Sequence, residues 1–150
     1  MTLYYLDSSV WIKRYYRETG TAWVENLFAQ RQPVACASLG VIEVTAALAR
    51  KQKARFITSS QFEQKVRDLD KDWKHLVQLG LTDEVVTTAR ELAKNLALRG
   101  ADAVHLASAL LLKGQLAEDD QLILVTSDHE LREAAQTSNL LVIDPEQEIE

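Results

Sequence analysis

The stretch Tyr4–Lys13, YYLDSSVWIK, decides how this chain is read. An apolar, aromatic-rich run of strand character, TLYYL, stops at a carboxylate, Asp7. Two serines follow, and the pattern then turns helical. An acid at the tip of a strand suited to burial has two explanations. It can cap the next helix, because aspartate is a favoured N-cap. It can also be a functional group at the carboxyl end of a strand, the edge where open α/β sheets bind their ligands.

Working outward, the same grammar repeats. Ser8 or Ser9 is expected to cap a helix running to about Arg17, and Thr19 or Thr21 a second helix carrying Trp23, Leu27 and Phe28 on one face. PVACAS reads as a second strand with Ser38 as the following cap. The next helix shows Leu39, Ile42, Ala46 and Ala49 at helical spacing. Ser59 or Ser60 should open a long helix through Phe62, Val66, Leu69 and Trp73. HLVQLGL holds a short third strand. Thr82 starts a helix with acids in its first turn, where the helix dipole favours them, and Gly100 marks the break before another. QLILVTSD, HELREAAQTS and NLLVID read as strand, helix and strand, and the last six residues as a frayed acidic tail. Apolar strands alternating with amphipathic helices imply an α/β fold with a parallel sheet covered on both faces.

The bulk composition agrees. At 150 residues the chain suits one domain, residues 1–150, with a real core. Its 5 glycines and 2 prolines are too few for an all-β fold rich in turns. The single cysteine, Cys36, excludes an intrachain disulfide and suits a reducing compartment. No run approaches the roughly 20 apolar residues of a membrane span, and no leader pattern precedes the first strand, so a cytoplasmic protein is expected. The net charge of −5 argues against a general nucleic-acid binder, although carboxylates loaded with a divalent cation invert that picture locally.

Three further acids stand in comparable places. Asp128 follows LILVT at a strand's end, and Asp102 opens an otherwise apolar helix. Glu43 lies among Val41, Ile42, Val44 and Ala46, with no arginine or lysine three or four residues away. Glutamate is rarely buried unless it is paired or holds a metal. The three histidines, His75, His105 and His129, form no zinc pattern; His105 falls three residues after Asp102 and reads best as structural.

YYLDSSVWIKRY, SLGVIEVTAAL, RGADAVHLASAL and LILVTSDHELREAA together resemble the four acidic motifs of the PIN-domain nucleases, particularly the VapC-type toxins of toxin–antitoxin modules. The resemblance covers nearly the whole chain in the family's motif order. It implies a three-layer α/β/α fold with a parallel sheet of about five strands, and Mg2+- or Mn2+-dependent hydrolysis of RNA. Asp7, Glu43, Asp102 and Asp128 fall on the family's acidic positions, as catalytic and metal-binding residues. Ser8 matches its small hydroxyl residue after the first acid, and Thr126 its threonine before the fourth. A longer connection, KGQLAEDDQL, leaves Asp119 and Asp120 as alternatives for the fourth acid, although Asp128 sits at the correct strand end.

Magnesium takes oxygen ligands and keeps several waters, so carboxylates drawn from separate segments suit it without excluding a substrate phosphate. Asp7 and Asp102 are expected as direct ligands, Glu43 as a ligand or as a group orienting water, and Asp128 as acting through water or on a second ion. Ser8, Thr126 and Ser127 are candidates to orient the acids. ARKQKAR, Ala49–Arg55, reads first as a solubilising helix end that suits its dipole; the alternative is contact with RNA phosphate or an antitoxin tail, as a basic rim shared with Lys13, Arg14 and Arg17. The resemblance further implies an antitoxin partner and fits a homodimer, for which the apolar spacing of Phe62 and Trp73 suits an interface and ordinary core packing equally. A phosphatase with a second acid two residues after the first fits poorly, since Ser9 stands there, and a receiver domain fits poorly, since HLVQLGLT offers no acceptor aspartate after the third strand before Asp83. The rival reading is a non-catalytic module of the same fold that binds protein or RNA.

Overall fold

The first strand, β1 (Thr2–Leu6), sends alternate side chains to opposite faces, as the two-residue period of a strand requires. Leu3 and Tyr5 join one apolar cluster, Tyr4 and Leu6 the other. The computed structural model describes residues 1–147. The same alternation divides β2 (Val34–Ala37) and β4 (Gln121–Val125). Ala35, Ala37, Leu122 and Leu124 face one way, Val34, Cys36, Ile123 and Val125 the other. With β3 (Val77–Leu79) and β5 (Leu141–Ile143) these strands form one five-stranded sheet in the order β3-β2-β1-β4-β5. Every neighbouring pair is parallel.

Helices cover both faces, which completes the expected three layers. On one side lie α1 (Ser8–Trp11), a 3₁₀ turn (Ile12–Arg14), α2 (Thr21–Ala29), α3 (Ser38–Lys53) and α4 (Ser59–Trp73). On the other lie α5 (Asp83–Leu96), α6 (Gly100–Gln115) and α7 (His129–Thr137). Leu6, Leu48, Leu69, Leu106, Leu124 and Leu131 are fully buried, each contributing about 1.5–3 kcal/mol. The chain changes direction across the sheet between β1 and β4, so the crevice at their carboxyl ends is the topological switch point.

Helix starts differ from the sequence expectation in an instructive way. Asp7, not a serine, caps α1, which lasts one turn before tightening into the 3₁₀ turn. Gly20 precedes α2 at φ +96°, a left-handed conformation that favours glycine. Ala37 rather than Ser38 stands before α3. Thr58 opens α4 with a capping box: its Oγ1 accepts from Gln61 N–H at 3.1 Å, and Gln61 Oε1 accepts from Thr58 N–H at 2.8 Å. Thr82 caps α5 as expected.

The buried stripe of α3 is Gly40, Val44 and Leu48, whereas Ile42, expected on its packed face, is 67% exposed. Gly40 lets the helix approach the sheet: a Cβ there would lie 2.4 Å from Cys36 Sγ. Phe62 and Trp73 pack against the second cluster, Trp73 beside Trp11 with ring centroids 5.8 Å apart. Arg14 grips Asp72 with two hydrogen bonds, at 2.7 and 3.2 Å, tying the 3₁₀ turn to α4. Of the acidic tail, residues 145–147 form a turn closed by Gln147 N–H to the Asp144 carbonyl at 3.0 Å. The last three positions lie outside the described residues.

Candidate functional site

The carboxyl edge of the sheet gathers the acids one element at a time. Asp7 directly follows β1, and its backbone N–H continues the ladder to the Val125 carbonyl at 3.2 Å. Its side chain is buried, at 3% exposure, yet well supplied with donors. Oδ1 accepts from Ser9 Oγ at 2.7 Å and Val10 N–H at 3.2 Å, and Oδ2 accepts from Thr126 Oγ1 at 2.7 Å. Burial nevertheless pushes its pKa up; nearby His105 and these donors only partly offset the loss of solvation.

Thr126 joins the first strand's acid to the fourth strand's acid. Its hydroxyl donates to Asp7 and accepts from Asp128 N–H at 3.0 Å. Asp128 caps α7 through Leu131 N–H at 2.9 Å. Its other oxygen, Oδ2, accepts from the Arg99 guanidinium at 2.9 Å. The same guanidinium reaches Asp102 Oδ2 at 3.3 Å from the start of α6. Burial and the Asp128 charge both raise the Asp102 pKa, with Arg99 opposing them. One exposed cation thus bridges two of the four acids.

Glu43 comes in on α3 and is half-buried rather than enclosed. Its partner is His105, whose Nε2 lies 2.6 Å from Glu43 Oε1. His105 Nδ1 lies 2.8 Å from the Tyr5 hydroxyl in the core. The pair that local spacing could not supply therefore comes from α6, across the carboxyl edge.

Several expectations change here. Ser9, not Ser8, supports Asp7, and Ser127 Oγ donates to Asp144 at 2.9 Å instead of to a site acid. Asp119 and Asp120 sit at the amino end of β4, where Asp120 accepts from the Met1 amino group at 3.0 Å. They lie at the edge of the sheet opposite to Asp7 and Asp128. Asp144, after β5, is one more carboxylate on the acidic edge, held by Ser127 and Arg132. Lys13 is buried between Glu18 and Glu146, Arg14 is spent on Asp72, and Lys51 lies over the Tyr16 ring, so these three do not supply the alternative basic rim. A cleft of about 610 Å³, lined by Arg14, Phe28, Arg31, Pro33 and Val77, opens at the amino ends of β2 and β3, the opposite edge.

Sequence reasoning missed Arg99 and the bridging role of His105. The one signal for Arg99 was its position three residues before Asp102, a spacing at which opposite charges meet on a helix.

Among the described residues, no three His, Cys, Asp or Glu side chains converge closely enough to hold a metal ion as they stand. The donor chemistry still fits a hard divalent cation. The acids offer only carboxylate oxygens, and two of them already share a positive group, while mutual charge raises one of their pKa values. The arrangement is an acidic edge in which hydroxyls, an imidazole and a guanidinium keep the carboxylates apart.

A parallel five-stranded sheet with acids at its switch point is the frame of a PIN domain, and the PIN domain family model matches residues 4–136. The chain belongs to the PIN-domain family. It is 34% identical over 142 residues to Ribonuclease VapC45 and to Ribonuclease VapC49, both of Mycobacterium tuberculosis, with 95% of each chain covered. The fold is similar to that of VapBC2 from Rickettsia felis bound to a promoter DNA fragment: TM-score 0.65, 16% identity, 95% of this chain and 98% of that one covered. A toxin-antitoxin complex from Klebsiella pneumoniae gives a TM-score of 0.66 at 14% identity, covering 94% and 96%.

Proposed function

We propose that this chain is a divalent-metal-dependent endoribonuclease and the toxin of a toxin–antitoxin pair. The observation that carries the reading is the placement of Asp7, Glu43, Asp102 and Asp128 at one sheet edge. The 34% identity to ribonucleases along almost the full length supports it. In this reading the four acids hold Mg2+ or Mn2+. When bound, the cation neutralises charge on the substrate phosphodiester and acidifies a water for attack.

The chain's own groups divide the remaining work. Ser9, Val10 N–H and Thr126 fix the Asp7 carboxylate in one orientation. Glu43 engages His105 through Oε1, which turns Oε2 to the edge as an acceptor for a proton from water. Arg99 balances Asp102 and Asp128 until a cation or a phosphate replaces one side of that contact. An antitoxin segment carrying a positive side chain is a suitable occupant of the acidic edge, and a homodimer belongs to the same reading.

RNA cleavage by the purified protein tests it. Activity is expected with Mg2+ or Mn2+, and none with EDTA or in Asp102→Asn. Cleavage that persists in EDTA would remove the metal from the account.

One observation favours the rival, a non-catalytic binding module: Asp7 and Asp128 each serve as helix caps. A folded protein that neither cleaves RNA nor gains thermal stability from Mg2+ would support that module.

A further inference from the structure

We propose that His105, anchored by Tyr5, is a positioning residue that aims the Glu43 carboxylate at the acidic edge. The inference rests on the metal-dependent reading and adds to it a chain of two hydrogen bonds reaching from the core to one acid.

The geometry joins three elements. Tyr5 projects from β1 with no exposed surface, and its hydroxyl lies 2.8 Å from His105 Nδ1. The ring of His105, on α6, is 1% exposed and packs edge-on to Tyr5 at 5.8 Å between centroids. Its Nε2 lies 2.6 Å from Glu43 Oε1 on α3. An ionised carboxylate only accepts hydrogen bonds, so Nε2 carries the hydrogen toward Glu43. In the neutral ring Nδ1 then carries the lone pair and accepts from the Tyr5 hydroxyl, which remains a phenol at neutral pH. The two contacts are mutually consistent and define one tautomer.

A structural histidine would need a partner for each nitrogen and nothing more. Here one partner is a core phenol on the central strand, and the other is a half-buried acid whose second oxygen takes part in no hydrogen bond among the described residues. Among the described residues, no other α3 side chain is hydrogen-bonded to one of the acids. The orientation of Glu43 is therefore set from α6, the helix that also carries Asp102. Groups that hold a ligating side chain in this way are worth about 10- to 100-fold in metal affinity.

Calorimetric Mn2+ titration of the full chain tests the inference, with thermal melts as a control for folding. His105→Leu should weaken Mn2+ binding about 10-fold or more. His105→Gln, which retains a donor toward Glu43, should recover most of that loss. Tyr5→Phe, which leaves Glu43 its partner but frees the ring, should weaken binding less than His105→Leu. Nitrogen NMR of the metal-free protein supplies a second readout that a purely structural role would not move. Nε2 of His105 should carry a proton in the wild type, and its signal should shift in Tyr5→Phe. A His105 Nε2 without its proton would overturn the inference, even if the leucine variant failed to fold. Wild-type Mn2+ binding that is unchanged in a folded His105→Leu would sink the inference alone. A wild type that binds no Mn2+ would sink it together with the metal-dependent reading.

Discussion

Asp7 shows how one side chain serves two masters. It caps α1 and closes β1 onto the switch point, and it is buried with a raised pKa because desolvation outweighs its donors. A carboxyl raised on folding contributes stability below its unfolded value and loses that contribution as pH climbs through the folded value. At neutral pH the metal-free protein therefore carries a buried charge at a cost. Asp7→Asn keeps an acceptor for Ser9 and Val10, so it is expected to melt higher at pH 7 in EDTA. A net gain of about 1 kcal/mol corresponds to about 2–4 °C for a chain of this size. That advantage should vanish below the ordinary carboxyl value of 3.8, and cleavage should be lost at every pH. Calorimetric melts from pH 3 to 8 check both halves; a variant that melts lower and still cleaves would leave Asp7 as a cap alone.

Arg99 makes the converse case at the same scale. Its side chain is 68% exposed, so its contacts with Asp102 and Asp128 add little to stability. They do compete with any cation for the same oxygens. Arg99→Ala should leave the melting temperature nearly unchanged and tighten Mn2+ binding severalfold, as read by calorimetry. The positions of Asp7 and Asp128 at the carboxyl ends of strands were legible in the sequence, because each follows a short apolar run. Arg99 and His105 were not, because an arginine before a helix and a histidine on an apolar face are locally ordinary. What matters about them is a partner 29 residues away for Arg99 and partners 62 and 100 residues away for His105.

At the scale of elements, α3 explains the chief misreading. Leu39, Val41, Ile42, Val44, Ala46, Ala47 and Leu48 leave it apolar nearly all round, so periodicity alone cannot choose its buried face. The choice is made by contact: Gly40, Val44 and Leu48, spaced by four, turn inward, and Gly40 faces Cys36 and Trp11. Gly40→Ala should destabilise by about 1–3 kcal/mol through overpacking, despite alanine's helix preference. Adding Cys36→Ala to that variant should restore part of the loss. Urea unfolding of the two single variants and the double variant gives the coupling; strict additivity would show that the sulfur is not what Gly40 avoids. Strands were easier to place, because short apolar runs bounded by caps and turns leave few alternatives. The caps slipped by one or two positions at α1 and α4, where adjacent hydroxyl and carboxylate residues compete for the role, and held at α5.

Across the whole molecule, the sheet order puts every acid of the set at the carboxyl edge, and the helices that deliver them come from both layers: α1 and α3 from one, α6 and α7 from the other. A cation bound there would tie the layers together. Metal at about 100 times its dissociation constant should then stabilise the fold by about 2.7 kcal/mol, reversibly with EDTA. Melts at graded Mg2+ check this, and a melting temperature indifferent to Mg2+ would separate the acids from any shared ion.

The buried Lys13 links the two ends of the chain. Burial pulls its pKa down, but Glu18 at 2.9 Å and Glu146 at 3.0 Å outweigh that and hold it above the usual lysine value. A Cβ placed on Gly20 would lie 3.1 Å from Pro145, so the turn after β5 is pressed against the entry to α2. Trimming the polypeptide after Asp144 would therefore remove one of the two carboxylates that hold this ammonium and leave it to Glu18. Expression boundaries drawn just past the final strand should yield a protein that loosens first between α1 and α2, far along the sequence from the cut.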